Sequence, residues 1–257
     1  MRAMVLAAGL GTRLRPLTDR RPKALVELEG RTLIEITLAR LRRCGVREVI
    51  VNAHHFADML IDYLRSRDFG MRVEVSREEE LLDTGGGLKK AAWFFLEENA
   101  DEPFLVHNVD VLSAIDLARM VESHRQSGAL ATLAVQQRTS SRSLLFDAGL
   151  QLCGRQSSGQ PAEIARPVAE PQPFAFCGIH VISPRLFQLM SEPGVFSIIT
   201  SYLRLASEGE KIAGFRADEY YWRDVGTADA LQQAAQQGVR WDAGATAPSG
   251  NATSSDK

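Results

Sequence analysis

Two glycines and three cations near the N-terminus are the residues of this sequence best suited to chemistry on a phosphate. Gly9 and Gly11 end a short apolar run, and Arg13, Arg15 and Lys23 follow them. At glycines the backbone can turn sharply and leave several amide N–H groups directed at one point, which favours an anion. An arginine can donate two hydrogen bonds to a phosphate, and a lysine supplies a mobile positive charge. We therefore predict a phosphate-binding loop here.

Two common phosphate-binding motifs do not fit this loop. A Walker loop needs Gly-Lys-Ser/Thr after its first glycine, whereas Thr12 and Arg13 follow Gly11. A dinucleotide-binding fingerprint needs a third glycine where this chain has Leu14. A P-loop NTPase and a dinucleotide-dependent enzyme are therefore excluded.

The segment from Leu6 to Lys23 resembles the signature of sugar-1-phosphate nucleotidyltransferases. That signature reads Leu-Ala-Ala-Gly-x-Gly-Thr-Arg-x-x-Pro-x-Thr-x-x-x-Pro-Lys, and every fixed position is filled here. The resemblance implies that Arg13 binds the β- and γ-phosphates of a nucleoside triphosphate, and that Lys23 binds its α-phosphate or the sugar phosphate. The nucleotide-binding residues that it implies in this loop are Leu6, Ala7, Ala8, Gly9, Gly11 and Thr12.

Two aspartates follow apolar segments far apart in the sequence. Asp110 comes after the run that begins at Phe104, and Asp224 lies in Trp222-Arg-Asp-Val-Gly-Thr227. Open α/β sheets bind their ligands at the carboxyl ends of strands, and carboxylates there suit Mg²⁺. In the family that the chain resembles, aspartates in these two motifs are the metal ligands, so we expect Asp110 and Asp224 to hold magnesium. Asn108 is predicted to bind nucleotide.

The segment Asp83-Thr-Gly-Gly-Gly87 is predicted to receive the nucleotide base and ribose. We expect the glycines to lie before a helix that begins near Leu88, so that the ligand rests on main chain next to a helix N-terminus. This segment resembles that of N-acetylmuramate-1-phosphate uridylyltransferases and of short mannose-1-phosphate guanylyltransferase-like proteins. The residues assigned to nucleotide binding here are Glu80, Thr84, Gly85 and Gly86.

Sequence motifs identify the residues that would bind the sugar phosphate less clearly than those that would bind the nucleotide. Many members of the family carry Glu-Lys-Pro in the middle of the chain, with a lysine that binds the sugar phosphate. This chain has Glu163-Ile-Ala-Arg-Pro167 instead, so Arg166 is our candidate for that contact. Gly178 interrupts an apolar strand, as a glycine does where a ligand or another backbone approaches closely, and we assign it to sugar-phosphate binding.

Strand and helix patterns alternate along the first third of the chain, which is typical of a doubly wound sheet. We predict an α/β fold: one Rossmann-like (GT-A type) nucleotidyltransferase domain over 1–237, whose mixed, mainly parallel central sheet has helices on both faces. Residues 137–173 are predicted to be irregular strands and loops that form a lid over the sugar site. Residues 238–257, rich in small and polar types, are predicted to be a disordered tail.

Composition excludes several other functions. The 257 residues carry a net charge of −2, which gives no basic surface for nucleic acid or an anionic membrane. Three cysteines lack the spacing of a zinc site or a disulfide framework, and no stretch reads as a signal peptide. We therefore expect a cytoplasmic protein, a monomer or small homo-oligomer, with no nucleic-acid or membrane partner.

The resemblance to sugar-1-phosphate nucleotidyltransferases implies nucleotidyl transfer from a nucleoside triphosphate to a sugar 1-phosphate, with release of pyrophosphate. Magnesium is the expected cofactor, and the product would be a nucleotide sugar of the kind used as a cell-wall or polysaccharide precursor. UTP and GTP are the expected nucleotides, but the sequence does not decide between them or name the sugar. A cytidylyltransferase acting on phosphocholine and a non-catalytic nucleotide-sugar binding protein remain as alternatives.

Overall fold

The computed structural model describes residues 1–97 and 101–237. The strands of this part are β1 (Arg2–Leu6), β2 (Glu27–Leu28), β3 (Arg31–Thr32), β4 (Glu48–Ala53), β5 (Arg72–Arg77), β6 (Phe104–Asn108), β7 (Val111–Ser113), β8 (Ala131–Gln136), β9 (Arg142–Phe146), β10 (Leu152–Ser157), β11 (Glu163–Ile164), β12 (Gln172–Ile182), β13 (Ile212–Arg216) and β14 (Trp222–Asp224). Its α-helices are α1 (Leu33–Arg43), α2 (Ala57–Arg65), α3 (Asp83–Lys90), α4 (Ala92–Leu96), α5 (Leu117–Ser127), α6 (Leu186–Leu189), α7 (Ile198–Ser207) and α8 (Ala228–Gln236).

The main sheet is mixed, as predicted. Strands β5, β4, β1 and β6 are neighbours in that order and run parallel. The long β12 runs antiparallel to β6 and to β8, and β13 pairs in parallel with β8. Strand β1 is therefore central, with one parallel neighbour on each side. The carboxyl ends of β4, β1 and β6 meet at one edge, where an open α/β sheet binds its ligand.

Alternate residues of β1 enter two different hydrophobic cores. Ala3 and Val5 belong to the core that also contains the buried faces of α1, α2, α5 and α8. Met4 and Leu6 belong to the core that contains those of α3, α4, α6 and α7. Because successive strand side chains point to opposite faces, helices cover the sheet on both sides, which confirms the predicted architecture.

Four of the α-helices in the described ranges, α1, α5, α7 and α8, begin at a residue whose side chain accepts a hydrogen bond as an N-cap. Thr32 caps α1 in a reciprocal arrangement with Glu35, Asp116 caps α5, and Thr227 caps α8. These hydroxyl and carboxylate oxygens accept hydrogen bonds from amides that have no partner within the helix. Asp116 takes the capping role before α5, which leaves Asp110 available for another function.

The segment 137–173 is more regular than the predicted irregular lid. Strands β9, β10 and β11 form an antiparallel ladder, and β9 pairs with the first residues of β12. Their alternating apolar side chains, including Leu144 and Phe146, are buried in the core beneath them. The segment is therefore an extension of the sheet and does not form a separate domain.

The sequence also led to predictions about the C-terminal residues and about membrane association. The predicted disordered tail, residues 238–257, lies outside the described residues. No helix in the described ranges has the length and apolar character needed to cross a membrane.

Candidate active site

Asn52 organises the start of the phosphate-binding loop. The strand register places Leu6 of β1 beside Asn52 of β4 and Asn108 of β6. The side-chain oxygen of Asn52 accepts hydrogen bonds from the amides of Ala7 (2.6 Å) and Ala8 (3.3 Å). The first two loop amides are therefore used within the protein, so the roles predicted for Ala7 and Ala8 do not involve free N–H groups.

Glu78 holds Asn52 in place. Its carboxylate is only 2% exposed and accepts from the Asn52 amide nitrogen at 2.8 Å. Its other oxygen accepts from the amide of Leu82 at 3.1 Å. A buried carboxylate with both oxygens bonded fixes its neighbours strongly, because losing either partner would leave a buried charge unsatisfied. Neither Asn52 nor Glu78 was identified from the sequence.

The next part of the loop is open to a ligand. Among residues 1–97 and 101–237, no acceptor is bonded to the backbone amides of residues 9–13. Gly11 adopts a left-handed conformation, with φ of 65°, and its carbonyl accepts from the Thr18 hydroxyl at 2.8 Å. Consecutive amides left free by such a turn form an anion-binding site, as the sequence predicts.

The charged residues predicted for catalysis and metal binding lie together beside this loop. Lys23 Nζ lies 3.2 Å from Asp110 Oδ2, and Arg13 Nη2 lies 3.5 Å from Asp224 Oδ2. A Cβ atom built on Gly226 would lie 2.7 Å from Arg13 Nη2, 2.7 Å from Asp224 Oδ1 and 3.0 Å from Asp110 Oδ2. Two cations and two carboxylates therefore surround one small region that a side chain at position 226 would fill.

Main-chain pairing brings the two aspartates together. Strand β14 pairs antiparallel with β7, so that Asp224 lies opposite Val111, and the amide of Val225 donates to the carbonyl of Asp110 at 2.8 Å. The amide of Gly226 donates to Asp224 Oδ1 at 2.6 Å, which orients that carboxylate.

The glycine triplet has a different environment from the one predicted. Gly85, Gly86 and Gly87 lie inside α3, which begins at Asp83 and not near Leu88. A Cβ on Gly85 would overlap the Phe196 ring, and one on Gly86 would lie 2.5 Å from the carbonyl oxygen of Gly194. The predicted helix start is therefore corrected, and the space on the Cβ side of Gly85 and Gly86 is filled by the protein's own chain, while the assignment of these glycines to nucleotide binding stays a prediction.

Two cavities lie at this end of the sheet and share the lining residues Asp83, Thr84 and Asn108; Lys23 lines the smaller one, and Arg13, Asp110 and Asp224 line neither. The nucleotide-side cavity, of about 330 Å³, is lined by Leu6, Ala8, Gly9, Lys23, Asn52, Leu81, Asp83, Thr84, Asn108 and Val195. The acceptor-side cavity, of about 730 Å³, is lined by these three residues and by Arg142, Ser143, Leu144, Arg155, Gln156, Ser157, Gln160, Pro161, Glu163, Phe176, His180, Ser197, Ile198 and Ile199.

The cavity linings include some predicted residues and omit others. Glu80 and Arg166 line neither cavity, whereas Val195, which the sequence did not indicate, lines the nucleotide-side cavity while being 61% exposed. A groove of about 1020 Å³ near the end of α1 is larger than both cavities but is lined by none of the predicted site residues. We therefore locate the site by the charged cluster and not by cavity size.

The two acceptor candidates differ in placement. Gly178 has a φ of 70° at a register shift in β12, and a Cβ there would lie 2.8 Å from the side-chain nitrogen of Asn108. This close approach accounts for the glycine. Arg166 instead donates to Asp147 at 2.6 Å and to the carbonyl of Gln151 at 3.3 Å. Its charge is neutralised there, so the geometry does not favour Arg166 as the residue that binds the sugar phosphate.

The histidines near the acceptor cavity are neutral at physiological pH. Burial lowers the pKa of His180 and of His107 to about 3 in each case. His180 Nδ1 lies 3.0 Å from the hydroxyl of Tyr202, also buried. A group with so low a pKa is a poor proton donor or acceptor near pH 7, so we assign neither histidine an acid–base role.

Comparison with known proteins places this site in a family. The profile of the nucleotidyl transferase family matches residues 2–144, more than half of the chain. The chain belongs to the nucleotidyl transferase family. The matched region contains the phosphate-binding loop, Asn52, the glycine-containing α3 and Asp110.

Individual relatives extend the match of this nucleotidyl transferase to nearly its whole length. It is 35% identical to N-acetylmuramate alpha-1-phosphate uridylyltransferase of Caulobacter vibrioides, over 89% of this chain and 93% of the relative. It is 30% identical to mannose-1-phosphate guanylyltransferase catalytic subunit beta of Xenopus tropicalis, over 88% of this chain but 61% of that protein. These relatives confirm the predicted enzyme class, nucleotidyl transfer to a sugar 1-phosphate.

A solved structure agrees on the fold. HddC from Yersinia pseudotuberculosis superposes with a TM-score of 0.73 at 22% identity, covering 92% of this nucleotidyl transferase and 98% of that chain. The shared architecture supports the predicted fold class.

Proposed function

We propose that this nucleotidyl transferase uses the charged cluster around Gly226 to join a nucleoside triphosphate to a sugar 1-phosphate. The observation that carries the proposal is that Arg13, Lys23, Asp110 and Asp224 lie together beside the free loop amides. An acceptor phosphate oxygen attacks the α-phosphorus of the triphosphate. The bond between the α-phosphorus and the bridging oxygen breaks, and pyrophosphate leaves with the bonding electron pair.

The residues of this site lower the barrier by position and charge. The attacking phosphate is already ionised near pH 7, so no general base is needed. The amides of the loop and Arg13 hold the triphosphate, and Lys23 stabilises the charge that develops on the α-phosphoryl group. Lys23 is 14% exposed and Asp110 13% exposed, so their charges are only partly screened by water.

Magnesium is the cofactor that fits the residues present. Asp110 and Asp224, each with one carboxylate oxygen within about 3 Å of the point that a Cβ on Gly226 would occupy, would be the protein ligands. Mg²⁺ commonly binds through one or two carboxylates and completes its shell with water and substrate phosphates. A bound Mg²⁺ would neutralise negative charge on the triphosphate.

We propose UTP as the nucleotide, with GTP as the next candidate, and an acetamido sugar 1-phosphate as the acceptor. The support is the Caulobacter relative, which matches over nearly the full length of both proteins, whereas this chain covers less than two thirds of the mannose-1-phosphate guanylyltransferase. Residues 137–173 would close the acceptor cavity, since they provide much of its lining. We place the enzyme in the cytoplasm, where nucleoside triphosphates are available, as a monomer or small homo-oligomer.

Pyrophosphate release tests this function. The four common nucleoside triphosphates would each be combined with several sugar 1-phosphates and with phosphocholine, in the presence of Mg²⁺. We expect the highest rate with UTP and an acetamido sugar 1-phosphate. Release only with CTP and phosphocholine, or no release with any pair while nucleotide sugars still bind, would overturn the proposal. The same set of pyrophosphate-release assays, repeated after divalent ions have been chelated, tests whether the reaction requires a metal.

A further inference from the structure

The acceptor-side cavity contains one cation whose charge has no partner. Of the two arginines that line it, Arg155 pairs with Glu163 at 2.7 Å. Arg142 has no ion pair and no side-chain hydrogen bond with any residue in 1–97 or 101–237. The carboxylates in the lining are Glu163, already paired, and Asp83, which accepts from the amide of Thr84.

The position of Arg142 differs from that of the reacting phosphate. The attacking oxygen has to reach the α-phosphorus near Lys23 and Asp110, next to Asn108 and Gly178. Arg142 begins β9 and lies opposite Ser157 of β10, beyond the last pairing of β9 with β12, which joins Leu144 to Phe174. Gly178 lies four residues past Phe174 on β12, at a register shift, and lines neither cavity. Arg142 therefore belongs to the distal wall of the cavity.

The charge of Arg142 indicates the chemistry of what reaches that wall. A sugar whose 1-phosphate is held near Lys23 extends its other substituents away from that phosphate, along the cavity. An unpaired guanidinium there is matched by a planar anion, since it can donate two parallel hydrogen bonds to a carboxylate. The main chain of Arg142 is fixed by the Ser140 hydroxyl, which donates to its carbonyl at 2.7 Å and accepts from its amide at 3.2 Å. This fixes the start of the side chain.

We propose that Arg142 is a specificity-determining residue that binds a carboxylate on the acceptor sugar, so that the enzyme prefers an acidic sugar 1-phosphate to its neutral counterpart. This inference rests on the proposed function and adds to it the residue that reads the acceptor.

A pair of acceptors isolates the carboxylate. N-acetylmuramate 1-phosphate and N-acetylglucosamine 1-phosphate share the ring, the acetamido group and the phosphate, and differ in the lactyl carboxylate. The ratio of kcat/KM for the two would be measured by pyrophosphate release for the wild type, Arg142→Gln and Arg142→Lys. Arg155→Gln is a control within the cavity, and Arg185→Gln, which breaks an exposed pair with Glu210, is a control outside it.

The expected result is a loss confined to one acceptor. Arg142→Gln should lower kcat/KM for the acidic sugar by roughly 10- to 100-fold, mainly by raising KM. It should change kcat/KM for the neutral sugar by less than about threefold. The kcat/KM of Arg142→Lys for the acidic sugar should lie between those of the wild type and of Arg142→Gln. The thermal unfolding midpoint of both variants should equal that of the wild type.

Other outcomes distinguish a failure of the role proposed for Arg142 from a failure of the proposed function. An equal loss for both acceptors would mean that Arg142 contacts the shared phosphate or supports the fold, and it would overturn the inference. A wild type that prefers the neutral sugar would overturn it as well, while leaving the proposed function in place. If the wild type releases no pyrophosphate with any acceptor, the proposed function itself fails.

Discussion

The main chain holds Asp110 and Asp224 side by side. The amide of Val225, the residue after Asp224, donates to the carbonyl of Asp110 at 2.8 Å. The spacing of the two carboxylates is thus set by backbone pairing between β7 and β14 and does not depend on either side chain. Substitution of either carboxylate should therefore change the charge of the site without changing its geometry.

Asp110→Asn and Asp224→Asn should each lower turnover by at least about 100-fold, because each removes a charged metal ligand. Pyrophosphate release at saturating Mg²⁺ measures the effect, and circular dichroism checks that the fold is retained. Asp62→Asn, at an exposed position of α2, is the matched control and should have wild-type turnover. Wild-type turnover in one of the two site variants would remove that residue from the mechanism.

Arg13→Ala and Lys23→Ala should affect different kinetic constants. Arg13 is 61% exposed and is placed to bind the outer phosphates, so its loss should mainly raise KM for the triphosphate. Lys23, buried against Asp110, should mainly affect kcat, because its charge acts on the α-phosphoryl group in the transition state. Arg185→Ala, which loses an ion pair with Glu210 away from the site, is the control. A Lys23 variant that changes KM alone would contradict the assignment.

Gly86→Ala provides a test in which two effects have opposite signs. Helix propensity alone predicts that alanine in α3 stabilises the protein by up to about 1 kcal/mol. The new Cβ would lie 2.5 Å from the carbonyl of Gly194, so the segment that carries Val195 would have to move. We expect a lower free energy of unfolding in urea, by about 1–3 kcal/mol, and a higher KM for nucleotide. Stabilisation would show that the contact relaxes without cost.

Val195→Ser should weaken nucleotide binding. Glu192, at the start of the loop before Val195, is held by Lys89 at 2.8 Å and by Arg204 at 2.8 Å, so the loop has a fixed attachment to α3 and α7. Removing apolar contact area from the nucleotide-side cavity should raise KM for the triphosphate by roughly three- to tenfold and leave KM for the acceptor unchanged. Met59→Ser, an exposed apolar position on α2, is the matched control. Equal changes in both KM values would contradict the assignment of the cavity that Val195 lines to the nucleotide.

Stability should fall as the pH is lowered below about 6.5. Burial lowers the pKa of His107 and His180 to about 3 each, and that of His124 to about 4. In the unfolded chain these side chains titrate near 6.5. The unfolded state therefore binds more protons at pH 4–6, and the stability present above pH 6.5 is lost as the pH falls towards the folded pKa values.

Urea unfolding at pH 7, 6 and 5 measures this dependence. Each histidine should contribute a slope of roughly 1.4 kcal/mol per pH unit where only the unfolded state is protonated. His107→Leu should reduce the total slope by one such contribution. His107 Nε2 has no partner among the described residues, so the substitution costs only the hydrogen bond from Nδ1 to Asn108. An unchanged slope in this variant would show that His107 is protonated in the folded protein.

The charged cluster could be predicted from sequence because each member lies in a short motif at the end of a strand. Arg13 and Lys23 follow β1 and Asp110 follows β6 at one edge of the main sheet, and the pairing of β14 with β7 brings Asp224 to them. The order of helices and strands could also be predicted, because apolar periodicity is a property of residues close together in the sequence.

Features that depend on distant packing could not be predicted. Gly85 and Gly86 appeared to be open to a ligand, but Phe196 and Gly194, more than a hundred positions later, determine their surroundings. Asn52 and Glu78 form a buried pair without any motif. Arg166 was the sequence candidate for the sugar phosphate, but its pairing with Asp147, like the position of Arg142 in the cavity lining, depends on how the strands of the middle segment pair and is not marked by any motif.

The three residues shared by the two cavities, Asp83, Thr84 and Asn108, have a consequence for the order of events in turnover. Under the proposed function a nucleotide sugar would span both cavities, and it would then exclude either substrate until it has left. Accumulated product should therefore compete with the triphosphate and with the acceptor alike, and product-inhibition plots against each substrate would reveal any other pattern. Such an enzyme forms nucleotide sugar more slowly when the nucleotide sugar already made is not consumed. This inhibition by product requires no separate regulatory site.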